Sequence, residues 1–179
     1  ISLGNVEGKE IRFGSSASAY WSVATTVIST GSVNSMHDSY MPLSGMNMLL
    51  AMMINCFYGG VGVGILNYLV FIILAVFISG LMVGRTPEFL GKKIEAKEMK
   101  IAMVIALLHP LLILAGTALT AYQPQFGTTT LNNPSFHGFS EMLYEFTSAS
   151  ANNGSGFEGL GDNTPWWNIS TGIVLILAR

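Results

Sequence analysis

Charge is what this sequence has least of. Asp, Glu, Lys and Arg make up 10% of the 179 residues, against about 25% in a soluble globular domain, while half of the residues are hydrophobic. The expected solvent is therefore a lipid bilayer. Basic residues do not exceed acidic ones, 8 against 10, so the chain has neither a polybasic nucleic-acid footprint nor an acidic solvating tail. A single cysteine, Cys56, excludes an internal disulfide. Set in an apolar run with no His/Asn constellation beside it, it reads as a small hydrophobe rather than a catalytic thiol.

Other motifs are missing too. Residues 1–13 are polar and contain no apolar signal-peptide core. The first residue is Ile and a fresh apolar run opens at 173–178, so a piece of a longer protein is expected. Gly84-Arg-Thr-Pro-Glu-Phe-Leu-Gly-Lys-Lys93 has too wide a glycine spacing for a P-loop and no hydroxyl residue after the lysine. Gly60-Val-Gly-Val-Gly64 lacks the third glycine of a dinucleotide fingerprint. No nucleotide site and no organic cofactor are expected on this chain.

What is present is long apolar sequence. Residues 65–84 and 101–121 each supply the run of about 20 that a transmembrane helix needs. The second is interrupted only by His109-Pro110, a break that neighbouring helices can satisfy. Between them, residues 85–100 hold five of the eight basic residues, which predicts a cytoplasmic loop. Pro87 and Gly91 there suggest a turn and then a short helix. Seven acids lie outside this loop: Glu7, Glu10, Asp38, Glu141, Glu145, Glu158 and Asp162. On the opposite side of the membrane they would concentrate cations at an outer mouth. Residues 42–84 are too long for one unbroken span, and the glycines Gly59, Gly60, Gly62 and Gly64 predict a break at membrane depth, where irregular backbone survives only in protein or beside water.

The chain also repeats itself. A shift of 123 residues lays residues 14–31 on 137–154, matching Trp21 to Tyr144, Val23 to Phe146, Thr25 to Ser148, Gly31 to Gly154 and Pro42 to Pro165. Each unit is a stretch too short to cross a bilayer, suited to a re-entrant half-helix, and ends in a tip of small polar residues before a proline-led helix. A helix C-terminus favours a cation, and a tip of small residues lets backbone carbonyls replace an ion's water. Positive φ is expected at both Gly31 and Gly154. The tips are Ser29-Thr-Gly-Ser-Val33 and Asn152-Asn-Gly-Ser-Gly156.

Asn34-Ser-Met-His-Asp38, Gly59-Gly-Val-Gly62, Gly80-Leu-Met-Val-Gly-Arg-Thr-Pro-Glu88 with Leu90-Gly-Lys-Lys93, His137-Gly-Phe-Ser-Glu141 and Asn152-Asn-Gly-Ser155 together resemble the potassium-transporting ATPase A subunit family, the channel-like subunit of the Kdp complex. The resemblance implies an all-α membrane protein of transmembrane helices and re-entrant pore half-helices, in repeated helix–pore loop–helix units around one filter. Residues 1–84 would end one repeat, 85–100 form a cytoplasmic loop, and 101–179 begin the next. It implies K+ at Ser29, Thr30, Gly31 and Ser32 and at Asn152, Asn153, Gly154 and Ser155, with a gate at Gly59, Gly60, Gly62 and Gly64. It further implies a bacterial plasma (inner) membrane location, a catalytic P-type ATPase partner that hydrolyses ATP, and small accessory subunits. Glu158 stands where a small residue is expected, and Asn55 where an acid is often found.

Two rival readings share some of these features. A secondary cation transporter also uses broken helices, but commonly with inverted repeats, whereas these two units run in the same sense. An intramembrane serine protease would need Ser155 near a base such as His109. His37, Asp38 and His137 are too scattered in sequence for an expected metal site, and Met46, Met48, Met52 and Met53 read as packing.

Overall fold

The computed structural model describes residues 8–9, 12–56, 58–123 and 125–179. The expected outer acids Glu7 and Glu10 lie outside the described residues. The chain is mostly helical, in the order α1 (Gly14–Val27), α2 (Pro42–Ile54), α3 (Val63–Val83), β1 (Glu88–Phe89), β2 (Lys92–Lys93), α4 (Ala96–Tyr122), α5 (Phe136–Ala151) and α6 (Pro165–Ala178). α3 and α4, with 21 and 27 residues, extend about 32 and 40 Å at 1.5 Å per residue, long enough to cross a membrane. α3 exposes apolar side chains all round, Ile65, Leu66, Ile78 and Leu81 among them, which is the surface of a helix solvated by lipid or by other membrane helices. α1 and α5, with 14 and 16 residues, reach only about 21 and 24 Å.

α1 inverts the usual amphipathic pattern. Ser18, Ser22, Thr25 and Thr26 share one face and are buried, while Tyr20 and Val23 are exposed. Buried hydroxyls need partners, and two find them one turn back, Ser22 donating to the Ala19 carbonyl and Thr26 to that of Ser22. α5 is the central element, packed against α2, α4 and α6. On one side Tyr144 joins Met48, Met52 and Phe157; on the other Phe146 joins Trp167, Leu160 and Val174. Pro42 and Pro165 both occupy the first turn of their helices, where proline's missing N–H costs nothing.

Two expectations are corrected here. The loop at 85–100 holds a β-hairpin rather than a short helix: Glu88 pairs with Lys93 across a turn at Leu90 and Gly91, both at positive φ, as a two-residue hairpin turn requires. α4 then starts at Ala96, inside the expected loop, because Glu95 and Glu98 form a reciprocal capping box. The interruption before α3 also begins earlier than the glycines. α2 ends at Ile54 and the chain turns at Asn55 with φ 43°, where Asn67 of α3 donates to the Asn55 carbonyl at 2.7 Å.

Candidate functional site

Both short helices end in one backbone pattern. After α1, Ser29 N–H donates to the Thr26 carbonyl and Thr30 N–H to that of Thr25; after α5, Asn152 N–H donates to Ala149 and Asn153 N–H to Ser148. Each pair is a Schellman closure, with the residue that turns the chain held left-handed: Ser29 at φ 55° and Asn152 at φ 59°. All four donors and acceptors correspond under the shift of 123 residues.

The side chains repeat the correspondence. Trp21 Nε1 donates to the Ser32 carbonyl at 3.1 Å, and Tyr144 Oη lies 2.9 Å from Ser155 Oγ. The Ser32 N–H donates to Thr30 Oγ1, and that of Ser155 to Asn153 Oδ1. Thr25 Oγ1 lies 2.6 Å from the Ser32 carbonyl and 3.1 Å from that of Thr30, while Ser148 donates to Asn153 Oδ1 at 2.7 Å. In each unit an aromatic residue and a hydroxyl residue of the helix hold the tip that follows it.

The tips lie side by side. Ser29 Oγ donates to the Ala151 carbonyl and accepts from Asn153 Nδ2, both at 3.3 Å. Gly31 faces the backbone of Asn153 and Gly154 so closely that a Cβ would overlap the Asn153 carbonyl. The expectation of positive φ holds for Gly154, at 72°, and not for Gly31. Gly31 is glycine because a neighbouring backbone occupies the space of a side chain, Gly154 because of its dihedral.

A cleft of about 400 Å³ opens beside the tips, lined by Gly31, Gly154 and Ser155 together with Glu145, Glu158 and Asp162. Three of the seven acids named from the sequence thus share one cleft. Asp38 and Glu141 sit close by, and of His37, Asp38 and His137, expected to be too scattered for a metal site, the last two meet. His137 Nε2 lies 2.7 Å from Asp38 Oδ1, and Asn133 Nδ2 donates to Asp38 at 2.8 Å and to Glu141 at 3.0 Å. Asp38, His137 and Glu141 bring ligand-type atoms within 4.8 Å of one another, with the Asn133 amide bridging the two carboxylates. Glu158 accepts from the Asp38 N–H, and burial pushes its carboxyl above the usual range.

The glycine-rich break lies against the start of the first tip. Gly60 N–H donates to the Ile28 carbonyl at 3.1 Å, and a Cβ on Gly59 would overlap that carbonyl. Gly62 caps α3 at φ 94° and Gly64 is buried in its first turn, its N–H on the Gly59 carbonyl. Ser155, the serine of the protease reading, is held by Tyr144, and His109 meets Ser150 instead. Met48 and Met52 are buried in the core.

The potassium-transporting ATPase A subunit family matches residues 1–179. The chain belongs to that family. It is 71% identical to the potassium-transporting ATPase potassium-binding subunit of Flavobacterium johnsoniae, 68% identical to that of Phocaeicola vulgatus and 57% identical to that of Geobacillus kaustophilus, covering 98% of this chain each time. It spans about a third of the length of these relatives, 31–33%. Membership in the A subunit family favours neither the secondary-transporter nor the protease reading. Sequence reasoning missed the residues that brace the tips, although the internal match already paired Trp21 with Tyr144 and Thr25 with Ser148.

Proposed function

We propose that this chain forms part of the K+-binding, K+-conducting subunit of an ATP-driven potassium uptake complex in the bacterial inner membrane; its relatives are named as potassium-binding subunits of a potassium-transporting ATPase. In this reading α1 and α5 are re-entrant half-helices, and residues 1–84, 85–100 and 101–179 are the end of one pore repeat, a cytoplasmic loop and the next repeat. Ser29–Ser32 and Asn152–Ser155 are then two walls of an ion filter. The observation that carries it is the duplicated hydrogen-bond scheme that sets the two tips side by side at an acidic cleft. Thr25 donates to the carbonyls of Thr30 and Ser32, which leaves the carbonyls of Ser29 and Gly31 in the first tip as the candidates to replace an ion's hydration shell. Glu145, Glu158 and Asp162 raise the local cation concentration. Gly59, Gly60, Gly62 and Gly64 form a constriction on the conduction path. ATP hydrolysis falls to a P-type ATPase partner chain, with small accessory subunits completing the complex.

Cation-stimulated ATPase activity of the whole complex tests this reading. Gly154→Ala and Gly31→Ala are each expected to lower the apparent K+ affinity or to admit rubidium, sodium or ammonium while the complex still assembles. Unchanged affinity and selectivity in both variants would overturn it. Gly62→Leu, in the same preparation, is expected to alter K+ flux; normal flux would make the break a packing kink.

A further inference from the structure

His109 is the polar residue in the middle of a helix otherwise fit for lipid, and both of its ring nitrogens are engaged. Nδ1 lies 2.6 Å from Ser150 Oγ and Nε2 lies 3.0 Å from the Met53 carbonyl. A carbonyl only accepts, so Nε2 carries the proton, and in the neutral ring Nδ1 accepts from the Ser150 hydroxyl. The two partners belong to different parts of the site. Met53 is in the last turn of α2, where carbonyls have no intrahelical donor, two residues before the chain turns at Asn55. Ser150 is the penultimate residue of α5, followed by Ala151, whose carbonyl accepts from Ser29, and by the second tip. A second contact runs the same way: the Asn153 amide of the tip reaches Met52 Sδ of α2.

We infer that His109 is a positioning residue that couples the second tip to the break between α2 and α3, so that occupancy of the tips biases the conformation of the break. The inference rests on the filter and gate reading proposed above. Two features favour coupling over mere packing. The bridge ends on the last turn of α2 and not on its middle, so a shift of Ser150 reaches the point where the helix stops. The break itself is strained: Val61 holds positive φ at 52°, a costly conformation for a β-branched residue and of the kind that clusters at switch regions. Because coupling of this kind is reciprocal, the state of the break also sets the affinity of the tips for the ion.

The test uses the complete complex with Cys56→Ser and a probe thiol at the exposed Val61, Val61→Cys, whose modification rate is measured with and without K+. In this parent K+ is expected to change the rate at least about fivefold, the low end of ordinary coupling. His109→Leu is expected to remove the K+ dependence of labelling and, by the same reciprocity, to shift the K+ concentration for half-maximal stimulation of ATPase, which is still stimulated by K+. His109→Gln, whose amide supplies both a donor and an acceptor, is expected to restore most of the response, and Ser150→Ala to lose part of it. Full K+ dependence of labelling in both His109→Leu and Ser150→Ala, or none in the parent, would overturn the coupling. If His109→Leu does not assemble, the contrast between His109→Gln and Ser150→Ala decides. A parent complex whose ATPase ignores K+ would count against the filter reading instead, which keeps the two failures apart.

Discussion

The two tips share a hydrogen-bond scheme and differ in what surrounds it. The first follows a helix whose buried face is made of hydroxyls and whose aromatic brace, Trp21, is 40% exposed. The second follows a helix enclosed by three others, and its brace, Tyr144, is fully buried against Phe157 with ring centroids 4.2 Å apart. One polar geometry is therefore held by two means: local hydroxyl–carbonyl bonds in the first unit, and apolar packing with one buried phenol in the second. Backbone geometry of this kind depends on the closure at the helix end, which both units share, while its rigidity depends on the neighbours, which they do not.

The comparison is easiest to break at its glycines. Gly31→Ala places a methyl group on the Asn153 carbonyl and is expected to cost about 2 to 3 kcal/mol, the upper part of the range for overpacking. Gly154→Ala meets open space and is expected to cost about 1 to 2 kcal/mol through its left-handed backbone alone. Thermal unfolding of the assembled complex would rank them, and a larger loss at Gly154 would contradict the close approach of the tips. The aromatic braces sharpen the comparison at a smaller scale. Tyr144→Phe strands the buried Ser155 hydroxyl and is expected to cost about 1 to 2 kcal/mol, whereas Trp21→Phe, whose carbonyl partner retains Thr25, is expected to cost about 0.5 kcal/mol. Equal losses in the same assay would mean that packing does not distinguish the units.

A further expected effect is one of pH, in the segment that follows the first tip. His37 is buried, and burial lowers its pKa from 6.5 to about 4. Its folded form resists protonation, so stability is full above pH 6.5 and declines as pH falls from there toward about 4, where the unfolded chain binds the extra proton. Glu158 acts in the opposite sense, because its raised carboxyl takes a proton more readily in the folded protein. His37→Leu is therefore expected to flatten the acid-side decline in melting temperature and Glu158→Gln to steepen it. An unchanged profile in His37→Leu would show that the ring is hydrated and not buried.

Composition and pattern by themselves pointed to a membrane solvent, the two long spans, the interruption before α3 and the internal match at 123 residues, because each depends on what a residue is or on its distance along the chain, while the family was legible only as a resemblance of motifs. The lengths of α3 and α4 follow from their long apolar runs, and Pro42 and Pro165 mark helix starts. Tertiary structure alone decided why Gly31 is glycine, since the Asn153 carbonyl that excludes a side chain is more than 120 residues away. It also decided that His137 meets Asp38, that Lys92 and Lys93 close a hairpin, and that His109 spans from α5 to the end of α2. Such pairings depend on which faces meet when helices pack, and no local periodicity records that.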